Sequence, residues 1–286
     1  VGRMLREAQQ RGILRIEIVH PQARSHHLES GLREVGGLTQ AIVVSGGGSP
    51  AETRRAVAQA AADFLADLPE APRTLAVSWG KTMSEVAHAI APSWSDGTTV
   101  VQANGGLSLP GPVGDPASVI TRLARQARGS TVLLTAPAIV ESADLARALR
   151  REKTIAAVLD QARQADVLMF SLGALSHESV LVTSGCLLPR DERILAERGA
   201  VGDAVGRFFN AQGVAVSDDL EERSIGLDLD DVINSRLAVA VATGPEKWPV
   251  AEACVRRGLC DVLVTDEATA VHLQERLGSG SQKELS

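Results

Sequence analysis

The sequence predicts an α/β fold: a Rossmann-like, mostly parallel sheet with helices on both faces, plus a smaller inserted subdomain. Seven short apolar runs recur along the chain, and amphipathic helical patterns separate most of them. The runs are continuous rather than alternating, as strands buried on both faces of a parallel sheet must be.

Taken in order, residues 3–11 read as a helix stopped by Gly12, a C′ glycine. "ILRIEIV" (13–19) alternates apolar and polar residues as a half-buried strand does, and His20-Pro21 ends it. Residues 21–40 read as a short helical linker broken by glycines. The regular part follows, with strands expected at 41–44, 74–78, 99–103, 131–135, 166–170, 237–242 and 261–265. Helices are expected at 50–68, 82–91, 116–128, 141–163, 246–257 and 266–277. Between about 171 and 236 the rhythm gives way to glycine-rich loops, expected as a smaller subdomain or inserted hairpin, with a helix at 203–209. The tail 278–286 is expected to be disordered.

Composition narrows the function. The 286 residues carry 2% aromatics and no Tyr, so the core is built from Ala, Val, Leu and Ile. Nucleic-acid binding through stacked aromatics is disfavoured. A formal charge of -6 also argues against a polyanion-binding surface over most of the chain. Cys186, Cys254 and Cys260 show no C-x-x-C spacing and read as reduced intracellular thiols, so a cytoplasmic location is expected. The six histidines form no ligand set, so neither a metal nor another cofactor is expected. No apolar stretch approaches the roughly 20 residues that span a bilayer. The chain begins with Val1 and no signal-peptide pattern, and is expected to start inside a longer protein.

"VSWGKTMSEVA" (77–87) looks like the closing half of a phosphate loop, G-x-x-x-x-G-K-[ST]. Leu75 occupies the place of the opening glycine, so the loop cannot wrap a nucleotide's phosphates in consecutive amides. Five loops nevertheless leave their strands with glycine and small polar residues: "SGGGSP", "SWGKT", "QANGG", "SLGALSHES" and "TGPEK". In a doubly wound sheet ligands bind beyond the carboxyl ends of the strands, near helix N-termini whose unpaired amides attract anions. Lys81 and Lys247 each fall in the first turn of a helix, against the dipole's preference. One such loop alone is an ordinary turn with a solvated lysine. Five at one edge favour an anion-binding cleft.

Put in order, several stretches resemble the SorC family of bacterial sugar-responsive transcriptional regulators, also called the sugar-binding domain family. They include "REAQQRGILRIEIVHP", "LAVSWGKTMSEVA", "VVQANGGL", "APAIVES", "GAVGDAVGRFFNAQG", "RSIGLDLDDV", "ATGPEKWPV" and "VLVTDEATA", and run from about residue 1 to 275. The resemblance implies a helix-turn-helix DNA-binding domain, a linker, and an effector domain with a sugar-phosphate-isomerase-like fold. Residues 1–20 would be the remnant of the DNA-binding domain, 21–40 the linker and 41–277 the effector and oligomerisation domain. The first 15 residues carry four arginines and one glutamate, a stub suited to phosphates.

By the same resemblance Gly80, Lys81 and Thr82 seat the effector's phosphate with amides, a charge and a hydroxyl. Asn104 and Gly105 border the site, Asp203 accepts hydrogen bonds from sugar hydroxyls, and Lys247 lies near the anionic end. Asp203 also has a plainer reading, as a first-turn carboxylate stabilising a helix. The sequence departs from the family at "ATGPEKWP", where Thr243, Pro245 and Trp248 replace smaller residues. Trp248 either caps the pocket or packs beneath it, with packing favoured. Glu85 and Asp144 read as surface carboxylates. The implied partners are a phosphorylated sugar, operator DNA through the N-terminal domain, and a second copy in a homodimer or homotetramer, with no membrane. The rival reading is a sugar-phosphate isomerase using Asp203 and Lys247 as acid and base. A pure oligomerisation scaffold would not need exposed anion seats.

Overall fold

The computed structural model describes residues 24–46, 48–107, 116–176 and 179–281. The expected helix at 3–11 and strand at 13–19 lie outside them, as do parts of the "SLGALSHES" loop and of the tail.

Helix α1 (His26–Gly36) leads into β1 (Gln40–Val44), α2 (Pro50–Ala66), β2 (Thr74–Val77), α3 (Lys81–Ala89) and β3 (Thr99–Gln102). Then come α4 (Pro116–Gln126), β4 (Thr131–Val132), α5 (Ala143–Arg151), α6 (Lys153–Arg163) and β5 (Val167–Ala174). The smaller region holds α7 (Val180–Thr183), α8 (Pro189–Glu197), β6 (Ala200–Ala204), β7 (Arg207–Asn210), α9 (Asp218–Arg223) and α10 (Leu229–Ile233). The chain returns through β8 (Ala238–Val241), a 3-10 turn (Pro245–Lys247), α11 (Trp248–Arg257), β9 (Val262–Asp266) and α12 (Glu267–Ser281).

All seven expected strands form one sheet in the order β1-β9-β8-β5-β2-β3-β4. Every pairing along that path is parallel. Successive side chains of a strand point to opposite faces, and both faces are buried here. Ala41 and Val43 join Leu168, Phe170, Ala240 and Leu263 on the face covered by α1, α11 and α12. Ile42 and Val44 join Val77, Met169, Val241 and Val264 on the face covered by α2, α3 and α4.

The structure revises several boundaries. The expected helix at 141–163 is two helices, because Glu152 takes an extended conformation at ψ 129 between them. The strand expected at 131–135 shortens to two residues. α1 runs unbroken through Gly31 and sends Leu28 and Leu32 into the core. α12 continues four residues past the expected end at 277.

The largest correction concerns residues 203–209, expected as a helix. They belong to an antiparallel hairpin, β6–β7, in which Asp203 pairs with Phe208. β6 in turn pairs with the far end of β5, setting Asp203 opposite Gly173. The hairpin turns on Val205 and Gly206, both at positive φ (49° and 82°), as a two-residue turn matching strand twist requires. A β-branched residue is strained there, and burial of Val205 among Phe170, Ala204 and Phe209 holds it in place. The reading of Asp203 as a first-turn helix carboxylate is thereby removed.

Candidate functional site

At the carboxyl edge of the sheet lies a cleft of about 570 Å³. All five glycine-bearing loops reach it, supplying Gly48, Gly80, Asn104, Ser176 and Gly244 among others. Of the expected site residues Gly80, Lys81, Thr82, Asn104, Asp203 and Lys247 line the cleft, and Gly105 does not. Gly105 serves the backbone: its N–H donates to the Ile225 carbonyl (2.8 Å), and its own carbonyl accepts from the Trp79 indole (2.7 Å).

The α3 end of the cleft is built for an anion. β2 runs out at Val77 and α3 begins at Lys81, with Gly80 at the N-cap and no side chain capping the first turn. The amides of that turn and the positive end of the dipole face outward. Thr82 is 3% exposed, and its hydroxyl accepts a hydrogen bond from the Lys247 ammonium at 3.2 Å. Burial pushes Lys247 down to about 8, against the pull of Glu246 and Asp203. The exposed Lys81 opens the same turn.

The hairpin brings the opposite charge. Asp203 is buried, and its carboxylate accepts from the Gly206 N–H at 3.1 Å. It occupies the space beside Gly173 that a side chain there would need, since a Cβ would come within 2.1 Å of Oδ1. Burial raises Asp203 to about 6, opposed by the Gly206 amide and Lys247. At neutral pH the cleft therefore contains an enclosed ammonium and an enclosed carboxylate, each short of solvation. Asn104 adds a buried acceptor, because its Oδ1 has no hydrogen-bond partner. Such groups gain most from a ligand that hydrogen-bonds them.

Some cleft residues were not singled out from the sequence. Arg54 of α2 lines the wall and donates to Glu85 of α3 at 2.8 Å. Glu85, read as a surface carboxylate, is thus part of an inter-helix pair, whereas Asp144 is exposed and pairs with Arg147. Asp266 lines the cleft and accepts from the Gly244 N–H (3.1 Å), the Thr269 N–H (3.0 Å) and the Thr269 hydroxyl (2.8 Å). Trp248 lies away from the cleft. It stacks on His272 with ring centroids 4.3 Å apart and donates to Thr269, which agrees with packing. Cys254 and Cys260 lie in the core with their sulfurs 3.8 Å apart. Among the described residues no group of three His, Cys, Asp or Glu is placed to hold a metal ion. No described helix is long and apolar enough to cross a membrane.

The comparisons with known proteins agree with this architecture. The family model Sugar-bind, described as "Putative sugar-binding domain", matches residues 20–274. The transcriptional regulator LsrR of Enterobacter sp. is 30% identical over 94% of this chain and 82% of its own length. The deoxyribonucleoside regulator of Bacillus subtilis is 28% identical over 94% and 86% respectively. The full-length sorbitol operon regulator SorC of Klebsiella pneumoniae superposes with a TM-score of 0.79 at 20% identity, over 96% of this chain and 88% of that one, and shares the fold. The chain belongs to the sugar-binding domain family of SorC-type transcriptional regulators.

Proposed function

We propose that the cleft binds a phosphorylated sugar, and that its occupancy controls DNA binding by the regulator. One observation carries the reading: the uncapped N-terminus of α3 shares the cleft with Lys247, whose ammonium is bound to Thr82. A helix end without its own cap, next to a partly desolvated cation, suits a phosphate. Asp203 and Asn104 then take the sugar hydroxyls, because both are buried acceptors lining the same cleft. The regulator assembles as a homodimer or homotetramer on this reading, which light scattering checks.

The test is a thermal-shift panel of triose, pentose and hexose phosphates, each paired with its unphosphorylated parent. A matching phosphate at a hundredfold excess over its dissociation constant should stabilise the protein by about 2.7 kcal/mol. Equal shifts from phosphorylated and plain sugars would remove the phosphate from the assignment.

One observation favours a second reading. A carboxyl near 6 beside an ammonium near 8 is the pairing an isomerase would use as base and acid. The named relatives are regulators, which favours sensing. Turnover of a sugar phosphate followed by NMR decides between the two.

A further inference from the structure

Arg54, which donates to Glu85, lines the same cleft as the open end of α3. Arg54 is the fifth residue of α2 and Glu85 the fifth of α3, so each lies about one turn in from the end of its helix. One turn is about 5.4 Å of rise, within the span of an arginine side chain. Both helix ends line the cleft, through Pro50, Thr53 and Arg54 on one side and Lys81 and Thr82 on the other. Arg54 and Glu85 also both lie within the field of Lys247. Glu85 spends Oε1 on Arg54, while its Oε2 is shielded from solvent and has no hydrogen-bond partner. The Arg54 side chain keeps 38% of its surface exposed. Asn104, 4% exposed with Oδ1 unpartnered, marks the same cleft as one that awaits a polar ligand.

We propose that Arg54 is a third cation for the ligand's phosphate, and that Glu85 holds it in reserve by competing with the phosphate for its guanidinium. The proposal rests on the phosphate seat argued above and extends it to the α2 wall. Arg offers a planar fork that grips either a carboxylate or a phosphate through two parallel N–H bonds, whereas Lys247 and Lys81 act as point charges. The ligand class this selects is a dianionic phosphate monoester, whose charge outweighs a single fixed carboxylate for one guanidinium.

A double-mutant cycle tests it, with inorganic phosphate as probe and affinity read by calorimetry on the parent, Glu85→Gln, Arg54→Met and the double variant. Glu85→Gln should bind phosphate about threefold more tightly, as expected for release of a part-exposed pair. Arg54→Met should bind about tenfold more weakly, and the double variant should remain about tenfold weaker than Glu85→Gln alone. A double variant that equals Glu85→Gln would mean Arg54 only neutralises Glu85, and would overturn the proposal. So would unchanged or weaker binding by Glu85→Gln. Arg54→Lys, which keeps charge and stem, guards against a folding defect and should recover only part of the loss. Thr82→Val separates this proposal from the reading beneath it. A parent that ignores phosphate, or a Thr82→Val variant that binds like the parent, defeats the seat and the Arg54 role together. Loss in Thr82→Val with no change at Arg54 or Glu85 defeats the Arg54 role alone.

Discussion

Helices α2 and α3 begin at the same edge of the sheet, after similar glycine-bearing turns, and both line the cleft. Their ends are chemically opposite. α2 closes on itself: the Ser49 hydroxyl accepts from the Glu52 N–H, and the Glu52 carboxylate accepts from the Ser49 N–H at 2.7 Å. That amide holds the Glu52 carboxyl below its usual range. α3 has glycine at the cap, no capping side chain, a lysine in its first turn and a second lysine bound to Thr82. A capping box satisfies the helix's orphan amides from within the chain; an uncapped end leaves them to a ligand. A glycine-rich turn is thus no evidence of an anion seat by itself. What sets the α3 end apart is the missing self-cap together with a buried Thr82 that accepts from Lys247 in the same cleft.

The largest effect expected from this contrast is on pH dependence, because the open side of the cleft stores unsatisfied charge and the capped side does not. The folded Asp203 titrates near 6 against an ordinary value of 3.8. The native state therefore keeps a proton that the unfolded chain loses across that window. Stability from this group is fully present below about pH 4 and is lost as pH rises through 6, by roughly 3 kcal/mol for a shift of about two units. Asp203→Asn cannot ionise, so the stability of the parent relative to the variant should fall over that window in urea titrations. A difference that stays flat from pH 4 to 7 would mean the carboxylate is better solvated than its burial implies.

Next in size is Lys247→Met. Removing an ammonium whose pKa burial lowers to about 8 should leave the unliganded protein as stable or slightly more so at pH 7. The same change should cost a phosphorylated ligand about 2 kcal/mol, the scale of a hydrogen bond to a charged group. Equal losses for a sugar phosphate and its unphosphorylated parent would place Lys247 on the sugar instead.

Why the parallel sheet was legible and the hairpin was not follows from their side chains. "AIVV", "TLAV" and "DVLVT" are short, β-branched-rich apolar runs that recur between longer helical patterns, and that length and alternation mark strands buried on both faces. "GAVGDAVGRFFNAQG" mixes glycine, alanine and valine, with neither a period of 2 nor of 3.6 to choose between strand and helix. Its fold is set instead by tertiary contact: pairing with β5, and a buried Val205 forced to positive φ. Among the site residues, Gly80, Lys81 and Thr82 share one local turn, so sequence could place them. Arg54 and Glu85 are 31 residues apart and meet only because α2 packs on α3. Nor could spacing show that Gly105 turns away while its neighbour Asn104 lines the cleft.

A smaller effect tests the capped end. Ser49→Ala removes the hydroxyl of the capping box and should destabilise the protein by about 1 kcal/mol in denaturant titrations. Its ligand-induced thermal shift should match that of the parent, since α2 satisfies its own amides. A reduced shift would mean that the α2 terminus also holds the ligand, and the contrast between the two helix ends would fail.

The smallest effect separates the two lysines of the open end. Lys81 is exposed, so its attraction for an anion acts largely through water and is screened by salt. Lys247 is half-buried, with its ammonium tied to Thr82, and salt reaches it poorly. Lys81→Ala should therefore weaken a phosphorylated ligand by less than about 1 kcal/mol at low ionic strength. In 1 M salt, where the screening length is about 3 Å, that deficit should vanish, while the deficit of Lys247→Met persists. The measurement is a pair of calorimetric titrations per variant, at low and high salt, with sodium chloride in place of competing sulfate or phosphate. If the Lys81→Ala deficit survives high salt, Lys81 folds over the bound anion and excludes water from it. The open end would then close on its ligand, and the seat would have two enclosed lysines instead of one.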